Sequence, residues 1–369
     1  MALASTFSVS FAISILIVFV CARLPQMRGR RTDLNAKQAS HVRPTPRIGG
    51  VATFGAIWFG LLFVPEVVSE TYLGFLLATS ILFAVGLIED LNGAISAKMR
   101  LFSAMGAALL VIMFSGVWLT RLDIPFIDPL LSLWVIGVPL TLVATSGVAN
   151  GFNLIDGVNG LAAFASICAA TAIYLIALRA GVTEMTVLVP LFAAAILGFA
   201  CVNYPLGLIF LGDAGAYTIG FMLSWFGIAL VVTAPEISAW AILLVMFWPI
   251  ADTVYAMVRR SVKQVEAMQP DRLHMHQLAM RGLEVCILGS GRRLLANSLA
   301  TVLLAPFILA PTIAGVIFWN KPLSAFLSVV LFAGLFVGTY ALGPKLVRRL
   351  RRRTRIASVE QPGFVIAGE

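Results

Sequence analysis

The sequence is poor in charge: Asp, Glu, Lys and Arg make up 12% of its 369 residues, whereas hydrophobic side chains supply 60%. Soluble domains carry about 25% charged residues, so a water-facing globular surface is excluded for most of the chain. Histidine is nearly absent, at three residues, and the four cysteines are scattered. Cys21, Cys168 and Cys201 fall in apolar stretches and Cys286 in a loop, with no pair at ligand spacing. A zinc ribbon or a disulfide framework is thereby excluded, and the cysteines read as small packing residues. Also missing are an internal repeat, a low-complexity tract and any polar segment long enough to fold alone; the longest runs over 258–293. The lack of a repeat weighs against transporters built from two inverted halves. Any chemistry has to occur at a membrane face.

What the sequence does contain is long apolar runs. Mean hydropathy is +0.97, and eleven stretches approach the roughly 20 apolar residues that a spanning helix needs: 3–22, 48–64, 72–88, 101–119, 130–149, 161–178, 185–202, 214–232, 237–257, 294–318 and 323–342. No Lys or Arg precedes the first and a basic cluster follows it, the reverse of a cleaved signal peptide. It is expected to be a retained helix with its N-terminus outside. The net charge of +9 gains meaning when mapped onto loops, because orientation follows Lys and Arg near helix ends. With eleven crossings, 23 of the 26 basic residues fall inside, and only Arg121, Arg179 and Lys321 fall outside. The expected architecture is thus an all-α integral membrane bundle of about eleven transmembrane helices, N-terminus periplasmic and C-terminus cytoplasmic. A catalytic domain would span 1–343, with cytoplasmic loops at 24–47, 89–100, 149–160, 203–213 and 258–293. A basic cytoplasmic tail would follow over 344–369. The lipid bilayer accounts for the basic balance, including attraction to anionic headgroups, and no nucleic acid is required.

The carboxylates are sorted by face. Glu66, Glu70, Asp123, Asp128, Glu184 and Glu236 lie in short outer loops, where they are expected to do little beyond solvation. Glu89, Asp90, Asp156, Asp213 and Asp252 lie at inner helix ends. An ionisable group costs up to ~3 kcal/mol at a helix centre and less near the interface, so five acids on one face need a reason. Singly, each could cap a helix or pair with a loop Arg. As a set, hard oxygen donors without a Cys or His cluster suit Mg²⁺, with Mn²⁺ as the alternative, together with an anionic substrate.

Five inner segments carry unusual local chemistry. In 37–50, KQASHVRPTPRIGG, prolines stiffen the backbone and Lys37, His41, Arg43 and Arg47 offer cations. Glu89-Asp90-Leu91 closes the third apolar stretch. In 149–162, ANGFNLIDGVNGLA, Asn150, Asn153 and Asp156 recur every three residues and share one face of a helical turn. In 210–221, FLGDAGAYTIGF, Asp213 stands at a helix start between glycines, where phosphate is readily drawn. The fifth is PDRLHMHQL over 270–278.

In order, spacing and inside placement, these segments resemble the polyprenyl-phosphate N-acetylhexosamine-1-phosphate transferases, glycosyltransferase family 4, over about 37–278. The resemblance implies an Mg²⁺-dependent enzyme of the bacterial inner membrane with its active site facing the cytoplasm. Such an enzyme takes a UDP-N-acetyl sugar and polyprenyl phosphate as partners and releases UMP; a homodimer is known among relatives. It implies Asp213 as metal ligand assisted by Asn153, and Asp90, with Glu89 where relatives usually carry Asp, beside the attacking lipid phosphate. Direct displacement, with Asp90 aligning or deprotonating the phosphate, and an acyl-phosphate intermediate both remain open. Lys37, Arg43, Arg100, Asn150, Asp156, Asn159, Asp271, Arg272, His274 and His276 are expected to bind substrate. Gln277 stands where many relatives carry a further His, so the chain resembles the O-antigen and lipopolysaccharide-initiating branch more than phospho-N-acetylmuramoyl-pentapeptide transferase. Asp252 is left open between substrate binding and pairing with Arg259 or Arg260.

Overall fold

The computed structural model describes residues 1–24, 45–93, 95–262 and 273–359, all of them helix, turn or irregular segment with no strand among them. The helices are α1 (Ala2–Arg23), α2 (Gly50–Leu61), α3 (Glu66–Asn92), α4 (Ala97–Ser115), α5 (Asp128–Leu131), α6 (Trp134–Ile155), α7 (Leu161–Ala180), α8 (Thr183–Asn203), α9 (Gly212–Thr233), α10 (Ala239–Val245), α11 (Phe247–Val262), α12 (Met275–Leu283), α13 (Arg293–Ile317) and α14 (Pro322–Val359). Each of the eleven apolar stretches forms helix, but eleven crossings do not follow. Among the described residues nine helices are long and apolar enough to cross a membrane, or ten if the bent pair α10–α11 counts as one span.

Two stretches depart from the expected single spans for physical reasons. At about 1.5 Å per residue, the 12 residues of α2 fall well short of a hydrocarbon core about 30 Å thick. The stretch 237–257 breaks between α10 and α11 with a bend of 86°. Pro249 follows the break and has no N–H to offer the carbonyl four residues back. That carbonyl, of Val245, instead accepts from Thr312 Oγ1 of α13 at 3.4 Å. Beyond the bend the sequence turns amphipathic: Asp252, Thr253 and Ala256 are buried, whereas Val254, Met257 and Val258 are exposed.

Burial identifies the centre of the bundle. In α9, 89% of the most apolar window is buried, against 17% for α1 and for the spanning part of α14. Helices α2, α3, α6, α7 and α8 all pack on α9. Close approach is made possible by small residues: a Cβ on Gly215 would lie 2.7 Å from the Gly50 Cα, so α2 and α9 touch backbone to backbone. On the periphery, α1 packs on α8 through a face of Thr6, Ser10 and Ser14, and Ser10 Oγ donates to the Ala195 carbonyl at 2.6 Å. Small polar residues of this kind let helices meet closely in lipid, where hydrophobicity alone provides no drive.

Both ends of α9 are closed by charged side chains. At its C-terminal end Arg121 donates to the carbonyls of Val231, Ala234 and Ile237 and pairs with Asp123. Asp123 in turn accepts from Ser238 Oγ and Ala239 N, each at 2.8 Å, capping α10. Asp128 accepts from Leu122 N at 2.8 Å. Asp123 and Asp128 therefore do more than solvate a loop: Asp123 supplies a partner to an orphan N–H at the start of α10, and Asp128 holds the loop backbone at Leu122.

Candidate active site

The N-terminal end of α9 is where distant parts of the chain converge. The first four backbone N–H groups of a helix have no intrahelical partner, and here two carboxylates from other helices take three of them. Asp90, in the last turn of α3, accepts from Asp213 N at 2.8 Å and from Ala214 N at 2.9 Å. Asp156, which ends α6, accepts from Gly212 N at 3.1 Å. Anions are favoured at this end of a helix dipole. Gly212 itself has φ +72°, a left-handed conformation that costs glycine little.

Cations are brought to the same point by backbone pairing. Phe210 N donates to the Pro46 carbonyl at 2.9 Å, and Gly49 N and Gly50 N donate to the carbonyls of Phe210 and Leu211 at 2.8 Å each. This short extended pairing sets Arg47 beside Asp213, at 3.5 Å. Arg100, in the first turn of α4, forms an ion pair with the other carboxylate oxygen of Asp213 and lies 5.8 Å from the centre of the Tyr217 ring. The Tyr217 hydroxyl donates to Asn150 Oδ1 at 3.0 Å and is also hydrogen-bonded to Asn153. Three carboxylates thus face two guanidinium groups. Burial pushes the Asp156 carboxyl up to about 8; Arg47 and the Gly212 N–H pull it down, and Asp90 adds to the rise.

A second cluster lies alongside. Helix α11 meets α6 at Gly151, where a Cβ would come 2.9 Å from the Pro249 carbonyl and 3.1 Å from Thr253 Oγ1. One residue before Thr253, buried Asp252 accepts from His274 Nδ1 at 3.0 Å and from Met275 N at 3.2 Å, so it caps α12. The His276 ring stacks on that of His274 at 5.7 Å, with its Nδ1 3.8 Å from Asp252. Burial pushes the His276 imidazole down to about 4, although Asp252 acts the other way. Asp252, open from the sequence between substrate binding and pairing with Arg259 or Arg260, is thus tied to the histidine segment.

Other expected site residues have framework partners or lie outside the described residues, and Glu89 acts electrostatically on Asp90. Glu89 accepts from Ile95 N at 2.6 Å and so closes the turn after α3. Asn159 is locked into the framework: its N–H donates to Asn297 Oδ1, its side chain donates to the Pro205 carbonyl and Ser298 Oγ, and its carbonyl accepts from Thr301. Lys37, Arg43, His41, Asp271 and Arg272 lie outside the described residues. Arg47 and Tyr217 also join this cluster, although neither was among the substrate or metal residues expected from the sequence. Arg47 was visible as one of four cations in a basic lip, but only its pairing with 210–211 selects it.

No group of three His, Cys, Asp or Glu residues is arranged as a ready metal cage among the described residues. The donor chemistry nevertheless fits a hard divalent ion. Asp90 and Asp156 each retain lone pairs after capping α9, Asp213 and the Asn153 amide add oxygen, and the carboxylates outnumber the guanidinium groups.

Comparison with known proteins agrees with the geometry. Residues 72–231 match the glycosyl transferase family 4 profile. A Bacillus subtilis protein named "Probable undecaprenyl-phosphate N-acetylglucosaminyl 1-phosphate transferase" is 29% identical over 279 residues, covering 74% of this chain and 76% of that protein. The Yersinia pestis undecaprenyl-phosphate alpha-N-acetylglucosaminyl 1-phosphate transferase is 27% identical over 94% of this chain and 95% of its own length. The Mycolicibacterium smegmatis decaprenyl-phosphate N-acetylglucosaminephosphotransferase is 30% identical over 64% of this chain and 65% of its own. The chain is a polytopic membrane protein, and the profile match and these relatives support its placement in the polyprenyl-phosphate N-acetylhexosamine-1-phosphate transferase superfamily.

Proposed function

We propose that this protein transfers N-acetylhexosamine 1-phosphate from a UDP-sugar to polyprenyl phosphate at the cytoplasmic face of the bacterial inner membrane. The observation that carries the reading is the convergence of Arg47, Arg100, Asp90, Asp156 and Asp213 on the start of the most buried helix. The relatives' names favour N-acetylglucosamine 1-phosphate as the group transferred and undecaprenyl phosphate as acceptor; we take the donor to be UDP-N-acetylglucosamine. The product is a lipid-linked first sugar, the starting point of a cell-surface polysaccharide such as O-antigen. The basic-loop distribution supports an N-terminus outside and the site inside, an orientation that requires α2 and the bent pair α10–α11 each to complete a crossing; a homodimer is compatible with it.

Two anions must be brought together. An oxygen of the lipid phosphate attacks the sugar-bearing phosphorus; the bond from that phosphorus to the bridging oxygen breaks, and UMP leaves with it. Such transfers depend chiefly on positioning and charge neutralisation. Arg47 and Arg100 are set to hold the diphosphate, and His274 and His276 to hold the nucleotide end. Asp213 and Asn153, with Asp156 adjacent, would bind Mg²⁺, which supplies neutralisation of phosphate charge when bound. A phosphate monoester has a second pKa of about 6 and is largely dianionic at neutral pH, so little base assistance is needed. Both Asp90 oxygens already accept a backbone N–H; forming an acyl-phosphate there would disrupt the cap of α9. Direct displacement is therefore favoured, with Asp90 fixing the helix start beside the nucleophile.

The test is UMP release from UDP-N-acetylglucosamine by purified full-length protein supplied with undecaprenyl phosphate and Mg²⁺. Asp90→Asn is expected to lower turnover by about a hundredfold, on the scale of one preorganised group, with UDP-sugar binding nearly unchanged. Uptake of substrate without UMP formation would point to transport instead. Unchanged turnover in Asp90→Asn would remove that residue from the mechanism.

A further inference from the structure

Asp252 and its partners account for a tyrosine that neither the motifs nor the reaction uses. Tyr340 sits on α14, far along the chain from every motif, and is 7% exposed. Its ring packs on Tyr255, at 4.3 Å, and on Phe336, at 5.4 Å, contacts a phenylalanine would make equally well. Burying a hydroxyl there is costly unless it finds a partner. The hydroxyl faces two acceptors, Asp252 Oδ1 at 2.9 Å and the Leu273 carbonyl at 2.6 Å. Arg259 of α11 donates to that same carbonyl at 2.9 Å. The residue immediately before His274 is thus held from α11 and α14 together.

The consequence falls on the histidine. Asp252 accepts from three sides: the Tyr340 hydroxyl, Met275 N and His274 Nδ1. A carboxylate at Nδ1 fixes the tautomer and orientation of an imidazole, which leaves Nε2 to meet a ligand. The hydroxyl carries one proton, shared between these two acceptors; with it removed, Asp252 and Leu273 lose the donor that holds them together, and the ring loses its fixed seat.

We propose that Tyr340 is a positioning residue for the transferase reaction, its hydroxyl tying Asp252 to the Leu273 carbonyl so that His274 presents Nε2 to the nucleotide end of the UDP-sugar. The proposal rests on the function given above. It assigns α14, which lies outside the residues matched by the family profile, a direct part in holding the nucleotide segment.

The experiment compares wild type, Tyr340→Phe and Asp252→Asn as purified full-length proteins, by steady-state kinetics in each substrate and by hydrogen exchange over 273–280. Tyr340→Phe is expected to raise KM for UDP-N-acetylglucosamine about tenfold, the span of one hydrogen bond to a charged group, with KM for undecaprenyl phosphate and kcat little changed. Amide exchange over 273–280 should quicken, and Asp252→Asn should move the same quantities further in the same direction. A fall in kcat with both KM values unchanged, or an equal rise in both, would mean a merely structural role and overturn the proposal. Wild type that releases no UMP would overturn the functional reading alone, since the exchange arm still decides the clamp. Retained protection over 273–280 in both variants would overturn the clamp whatever the turnover.

Discussion

Helix α9 meets charge at both ends, yet the two ends are built for different purposes. At its C-terminal end a cation, Arg121, donates to three backbone carbonyls, and its partner Asp123 also accepts from Ser238 and Ala239. One positive group meets one negative group, and every polar partner is supplied by the chain. At its N-terminal end Asp90 and Asp156 cap the helix with the opposite sign, as the dipole requires. There Asp213, Arg47 and Arg100 are added beyond what capping needs. Capping alone explains the first end. The surplus of charged groups at the second marks it as a place prepared for a ligand.

That contrast can be broken by substitution. Asp213 caps nothing, and without its charge Asp90 and Asp156 still face Arg47 and Arg100, so Asp213→Asn should keep the fold while lowering UMP release about a thousandfold, the upper range for loss of one preorganised charged group. If the variant instead lost thermal stability and kept its turnover per folded molecule, the N-terminal end would be structural too. Arg121→Met should do the reverse. With Asp123 left without its counter-charge, stability should fall by about 3 kcal/mol, read as a lowered thermal midpoint in detergent, while kcat of the folded fraction stays near wild type. The smallest effect sharpens the comparison without touching catalysis. Mg²⁺ at about ten times its dissociation constant should stabilise wild type by ~1.4 kcal/mol through mass action. Arg121→Met should show the same increment and Asp213→Asn none; an equal increment in all three would detach the ion from Asp213.

Periodic and positional signals explain which parts of this arrangement could be read early. Asn150, Asn153 and Asp156 share a helical face because of their spacing, and Asp213 stands at a helix start in the sequence itself. Long apolar runs announce helices wherever they occur, since only internally satisfied backbone survives in lipid. Partner choice was less accessible. Nothing local distinguishes Asp123, which caps α10, from the other acids of short loops, and Asn159 looks like its motif neighbours although it bonds to α13. Glu89 and Asp90 are adjacent, but the end of α3 sends one to the Ile95 turn and the other to α9. Tyr340 gave no signal at all, because a tyrosine in an apolar run is as readily a packing residue.

From the residues alone came the solvent, the helical class, the sorting of acids and bases, and the family, because hydropathy, charge placement and motif spacing are properties of the chain read in order. Only the packed structure decided that 237–257 bends by 86°, that Arg47 joins Arg100 at Asp213, and that Asp252 serves His274. These depend on which groups from remote helices arrive within hydrogen-bonding distance, and desolvation makes each unpartnered polar group costly enough to settle the choice. Distance in three dimensions, not order along the chain, assigns the partners.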